Sequence, residues 1–156
     1  MLHIDIPGRE PLNLEYLVLD FNGTLARNGI IKRRVRARLK KLSKDLSVHV
    51  VTADTFGKAA QQLKHCPVTL NIISGTSQAE EKAQFVSWLG REKVCAVGNG
   101  YNDHKMVRSA GLGIAVIQEE GAASMTVSHA PVVCISITHA LDLLLHCDRL
   151  RATLRT

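Results

Sequence analysis

Four short polar clusters carry the chemically useful residues. Asp20 is followed by Phe21, Asn22, Gly23 and Thr24. A carboxylate that closes an apolar run and leads into a glycine turn stands beside successive backbone N–H groups. Such a turn makes a concavity that suits an anion such as phosphate. Thr52, with Ala53 and Asp54 after it, closes the run Val50-Val51. Lys82 follows Glu80 and Glu81 at the opening of a helical segment. Gly98-Asn99-Gly100-Tyr101-Asn102-Asp103 packs two glycines, two amides and a carboxylate behind another apolar run. In isolation each has an ordinary reading: turn chemistry for Asn-Gly, a structural threonine at a strand end, a surface lysine. Together they agree in order, spacing and placement.

The elements that must position them alternate. Apolar runs at 14–20, 47–53, 68–73, 93–97, 112–117 and 132–135 are apolar on both faces, as strands covered by helices on both sides are. Helix patterns fall between them at 33–44, 56–65, 78–90, 103–110, 120–127 and 137–147. Alternation of this kind predicts an α/β architecture, in which ligands bind outside the carboxyl ends of parallel strands. Asp20, Thr52 and the 98–100 turn should therefore converge. Residues 1–13 read as an extra edge strand (His3–Ile6) or hairpin, and 148–156 as a frayed polar tail. The whole chain, 1–156, reads as a single core domain.

Composition narrows the class. The chain has 156 residues, a formal charge of +6 and 46% hydrophobic residues. That is globular and large enough for a core without staples. No apolar run reaches the roughly 18 residues of a membrane helix, and no basic-then-apolar leader is readable at the start. The four cysteines form no CxxC pair. A reduced, cytoplasmic protein with no membrane partner is expected. The positive charge has one source. Eight of the 20 Lys and Arg lie between Lys32 and Lys44, so the remainder, 12 against 14 acidic residues, is slightly acidic. Val35, Leu39 and Leu42 line one face of that segment, which reads as a solvated helix; a patch for a phosphorylated partner or nucleic acid is the other reading. With two Tyr, three Phe and one Trp, no aromatic platform for single strands is expected.

At this point the sequence resembles the haloacid dehalogenase (HAD) superfamily of phosphotransferases, over about residues 14 to 147. The superfamily pattern is an Asp nucleophile in DxDGT, a Thr or Ser ending the second strand, a Lys, and a GDGxND-like loop. Within it the chain looks closest to the phosphorylation domain of P-type ATPases, through Thr52-Ala53-Asp54, Lys82 and VCAVGNGYNDHKMVRSAGLGIAV from Val94 to Val116. It is thus similar to soluble P-type-ATPase-like proteins. The resemblance implies a Rossmann-like, three-layer sandwich around a mainly parallel sheet, with no cap domain. It implies an Mg²⁺-dependent phosphohydrolase or phosphotransferase acting through an aspartyl-phosphate on Asp20. Thr52 and Lys82 would serve the phosphoryl group, with Phe21, Asn22, Gly23, Ala53 and Asn102 helping to bind it. Asp20, the main-chain carbonyl of Asn22, Asn99 and Asp103 would hold Mg²⁺.

Two departures bear on activity. Asn22 stands where HAD phosphatases carry the acid–base Asp, and an amide cannot shuttle protons at neutral pH. Asn99 stands where they carry a metal-binding Asp. Slow turnover on a small phosphorylated substrate or phosphoprotein is expected, and a homo-oligomer that covers the open site. The alternative is an inactive phosphate-sensing or protein-binding module in the old pocket.

Overall fold

In the computed structural model, which describes residues 1–54 and 57–156, six strands form one parallel sheet. They are β3 (Tyr16–Leu19), β4 (Ser47–Thr52), β5 (Thr69–Ile72), β6 (Val94–Gly98), β7 (Leu112–Val116) and β8 (Val132–Cys134), in the order β5-β4-β3-β6-β7-β8. From β3 the chain steps outward to β4 and β5, then returns to β6 on the other side and continues to β7 and β8. The winding reverses between β3 and β6, and a crevice opens at the carboxyl ends of strands where it does so.

Helices cover both faces. Alternation along β3 decides which residues serve which layer. Leu17 and Leu19 pack with Val35, Leu39 and Leu42 of α1 (Arg33–Leu42), with Ala59 and Leu63 of α2 (Lys58–Leu63), and with Leu141 and Leu144 of α6 (Ile137–Leu145). Val18, between them, points the other way. It joins Val51, Ala96, Val86 of α3 (Gln78–Leu89) and Met106 of α4 (His104–Ser109). A short helix, α5 (Ser124–His129), lies between β7 and β8. The α/β class and the covered parallel sheet are as the sequence predicts.

Of the two readings of residues 1–13, the structure has the hairpin: β1 (Leu2–Ile4) pairs antiparallel with β2 (Leu12–Leu14), and neither is an edge of the main sheet. The expected 14–20 strand accordingly breaks at Glu15. The expected frayed tail is a helix, α7 (Cys147–Leu154). Its Leu150 and Leu154, one turn apart, are buried in the larger core cluster. Arg151 also bonds the Asp5 carbonyl, 2.8 Å away. The helix expected at 120–127 begins four residues later, because Gln118–Gly121 is a turn. Phe56, the first residue of the expected 56–65 helix, lies outside the described residues.

The basic segment forms α1 as a solvated helix. Arg38 reaches Asp142 of α6 through two nitrogens at 2.7 and 2.8 Å. Arg36 donates to the Gln62 carbonyl and side chain at 2.5 and 2.7 Å. Two of the eight charges are thus engaged in tying α1 to α2 and α6 within one helical layer.

Candidate active site

Asp20 is the first residue beyond the paired part of β3, and its N–H still reaches the Val97 carbonyl of β6 at 3.0 Å. The central strand therefore delivers the carboxylate to the reversal point. Phe21 is fully buried in the core, which leaves only its backbone at the site. The chain then turns at Gly23, whose φ of +77° suits glycine. A Cβ there would stand 2.6 Å from both the Asn99 amide nitrogen and Glu120 Oε2. Space and backbone both exclude a side chain.

The fourth cluster folds back on itself. Asp103 Oδ2 accepts the N–H groups of Asn99 and Gly100, each at 2.9 Å. The carboxylate lies so close to β6 that a Cβ on Gly98 would meet Asp103 Cγ at 2.6 Å. This close approach explains the glycine that ends the strand. Lys82, on the buried side of α3, closes the arrangement. Its Nζ donates to Asp20 Oδ1 and Asp103 Oδ1, both at 2.6 Å. Lys82 is 1% exposed and Asp103 0%, so this is a buried triad of one cation and two anions. Burial alone would depress the Lys82 ammonium, but the two carboxylates outweigh it and raise its pKa. Asp20 is pushed up to about 7, by burial first and by the Asp103 charge second, against the pull of Lys82.

A cavity of about 720 Å³ opens over this floor, lined among others by Asp20, Asn22, Thr52, Ala53, Lys82, Asn99 and Asn102. The structure thus brings together every site residue read from the sequence, except that Phe21, Gly23 and Asp103 lie beneath the lining. Thr52 is buried and accepts the Asp54 N–H at 3.3 Å. Asp54 is itself engaged, its Oδ1 accepting from Ala59 N at 3.0 Å. Asn102 donates to Gln78 Oε1 at 2.5 Å, joining its loop to the start of α3. Asn22 is exposed at the cavity and makes no side-chain hydrogen bond among the described residues. Asn99 accepts from the Thr24 hydroxyl at 3.2 Å and donates to the Gly121 carbonyl at 3.1 Å. A second cavity of about 380 Å³, between Leu25, Ile30, Lys32 and Ile135, is lined by none of Asp20, Thr52, Lys82 and Asp103.

Three residues at the site carried no signal in the sequence. Lys58, in the first turn of α2, and Glu120, in the turn after β7, both line the 720 Å³ cavity. Gln118 donates to the Gly23 and Thr24 carbonyls, both at 2.9 Å, and accepts from Ile137 N at 2.9 Å. Only the fold brings these residues to the site. No periodicity or turn motif marks them beforehand.

The oxygen donors present would suit a hard divalent cation: the Asp20 and Asp103 carboxylates, the Asn22 carbonyl and the Asn99 amide oxygen. Asn99 Oδ1 accepts one hydrogen bond and has a second lone pair to offer. Burial and the Asp103 charge raise the Asp20 pKa even with Lys82 against it, and a cation beside it would lower it. Among the described residues, no three His, Cys, Asp or Glu side chains stand together as a metal cluster. The donor set is thus a mixed one, short of carboxylates.

No family model matches the chain. Solved structures that share its fold include 3-deoxy-D-manno-octulosonate 8-phosphate phosphatases. The Moraxella catarrhalis enzyme, in complex with magnesium, phosphate and its sugar acid, aligns with a TM-score of 0.73 and 15% identity, over 92% of this chain and 95% of that one. The cobalt-bound Haemophilus influenzae enzyme aligns at 0.72 and 14%, over 92% and 94%. The Yersinia pestis enzyme aligns at 0.71 and 16%, over 92% and 85%. These likenesses show the fold of HAD-superfamily phosphatases. Among curated proteins, Uncharacterized protein MJ0073 of Methanocaldococcus jannaschii is 48% identical over 64 residues, which are 41% of this chain and 69% of that protein. The chain belongs to the same family as that archaeal protein, built on the fold that HAD phosphatases share.

Proposed function

We propose that the protein is an Mg²⁺-dependent phosphohydrolase or phosphotransferase that works through an aspartyl-phosphate on Asp20. The observation that carries this reading is the buried triad. Lys82 Nζ holds Asp20 and Asp103 at 2.6 Å each, at the strand-end crevice of a phosphatase fold. A structural ion pair has no need of a cavity above it, whereas a phosphoryl site does.

Lys82 on Oδ1 fixes the rotation of the Asp20 carboxylate and leaves the second oxygen to attack phosphorus. The P–O bond to the leaving group breaks as the Asp20 O–P bond forms. Thr52 and Lys82 hold the equatorial phosphoryl oxygens, and the backbone N–H groups of residues 21 and 22 add a nest for the anion, that of Gly23 being taken by the Ala26 carbonyl. Asn102 and Ala53 shape the wall. A divalent cation held by Asp20, the Asn22 carbonyl, Asn99 and the Asp103 side would supply neutralising charge to two approaching anions. Water, or a second acceptor in a transfer reaction, then takes the phosphoryl group and frees Asp20. Asn22 cannot carry the proton at either step, so the cycle runs slowly and the intermediate persists.

Within the superfamily, the Thr52-Ala53-Asp54 segment, Lys82 and the run from Val94 to Val116 support a soluble P-type-ATPase-like member. The chain between β3 and α1 consists of turns and isolated bridges rather than a further domain, which supports a capless, open site. Such a site admits a small phosphomonoester or a phosphoprotein side chain and could be covered by a second copy of the chain. Four free thiols support a cytosolic location. The competing reading is an inactive phosphate-sensing module. It is favoured by Asn99, whose amide is engaged by Thr24 and Gly121. Hydrolysis of an aryl phosphate with and without Mg²⁺ separates the two. Metal-dependent release, abolished in Asp20→Asn, supports the enzyme. Phosphate binding with no release in either condition supports the sensor.

A further inference from the structure

We propose that Glu120 supplies the carboxylate that the metal site lacks at Asn99. This rests on the phosphohydrolase reading above and concerns a residue that reading does not use. Three observations meet at this side chain. Glu120 Oε2 and both side-chain heteroatoms of Asn99 stand within 2.8 Å of one point, the place a Cβ on Gly23 would occupy. Glu120 also lines the same cavity as Asp20, Asn22 and Asn99. Finally, among the described residues Glu120 makes no ion pair, although its neighbour Glu119 binds Arg27 at 2.7 Å. An acid left unpaired in a chain with surplus arginine and lysine is available for a cation.

The turn that carries it is held in place. Asn99 donates to the Gly121 carbonyl at 3.1 Å, and the Asn99 carbonyl accepts the Ala123 N–H at 2.8 Å. Gln118, at the other end of the turn, donates to the Gly23 and Thr24 carbonyls. The turn is thus bonded to the nucleophile loop on one side and to the Asn99 loop on the other. Five backbone or amide hydrogen bonds converge there, counting the Gln118 acceptor from Ile137 N. This is rigid support for an exposed side chain, and it holds Glu120 at the mouth beside Asn99. Asn22 and Asn99 remove negative charge from the donor set, and Glu120 returns one charge to the same mouth. Rotation about its own side-chain bonds is the only movement required of it.

Manganese(II) binding, followed by electron paramagnetic resonance on the full chain, tests this without reference to turnover. The wild type binds Mn²⁺; Glu120→Gln weakens it by roughly tenfold or more, the usual loss when a group supporting a metal is removed. Adding Asn99→Asp to Glu120→Gln restores affinity towards the wild type, because the charge returns on the next residue of the same mouth. Unchanged affinity in Glu120→Gln, with binding lost in Asp20→Asn, overturns the role of Glu120 and leaves the metal site standing. No binding by the wild type overturns both. Because Glu120 is exposed, an unaltered melting temperature checks that the variant is folded.

Discussion

The floor and the rim of the site are built on opposite plans. On the floor, Asp20, Lys82 and Asp103 are buried and every charge has a partner at 2.6 Å. On the rim, Asn22, Lys58 and Glu120 are exposed, and the neutral Asn99 is spent on tying loops together. On the proposed reading, the floor captures and attacks a phosphoryl group. At position 22 the rim carries an amide, which moves no proton, and at position 99 a neutral side chain. On that reading the protein forms an acyl-phosphate readily and releases it slowly.

Removing the floor's cation should have the largest effect. Lys82→Met leaves two buried carboxylates uncompensated, and chemical denaturation should show a loss of about 3–5 kcal/mol. On the rim, Asn22→Asp should leave stability nearly unchanged. It should raise steady-state turnover of an aryl phosphate by roughly one to three powers of ten, within the usual worth of acid–base help. A rate already in the normal enzyme range, unmoved by the substitution, would place the proton carrier elsewhere. Asn99→Asp should tighten Mg²⁺ binding about tenfold in calorimetry. That is a fraction of the roughly 4 kcal/mol of an unscreened charge pair at 4 Å and dielectric 20, the rest being lost to desolvation.

The titration of Asp20 sharpens the comparison further. In the metal-free protein its carboxyl should titrate near pH 7 by carbon NMR and move down when Mg²⁺ is added. Between about pH 4 and 7 the folded state holds a proton that the unfolded chain has already released. Asp20 therefore lowers metal-free stability as pH rises through that window, and no further above it. The smallest effect lies outside both regions. Arg38→Ala removes the α1–α6 ion pair to Asp142, whose carboxyl the guanidinium holds below its ordinary value. A partly exposed pair of this kind is worth about 0.2–1 kcal/mol in a urea melt.

Much of this was legible in the sequence. Both-faced apolar runs announce covered parallel strands, and polar residues at their ends had to converge once the winding reversed. Asp20, Thr52 and the 98–100 turn follow from that rule, whereas the role of Asp103 comes only with the resemblance to the HAD superfamily. Lys82 is less legible by its own neighbourhood, since Glu80-Glu81-Lys82 has the composition of a solvated turn. Its burial depends on a helix face whose other buried residue is Val86. Helix α7 was missed because Leu150 and Leu154 give only one i,i+4 pair in a polar stretch. Glu120 and Gln118 were missed because a turn has no period. What places them beside Gly23 is the stacking of β7 against β6, which no local pattern records.

In the proposed cycle Asp20 takes the phosphoryl group and keeps it. Incubation of the protein with acetyl phosphate and Mg²⁺, followed by intact-mass and peptide mass spectrometry, measures this directly. The account predicts one added phosphoryl group on the peptide carrying Asp20, formed faster than it is lost and absent from Asp20→Asn. Equal labelling of wild type and Asp20→Asn would contradict it.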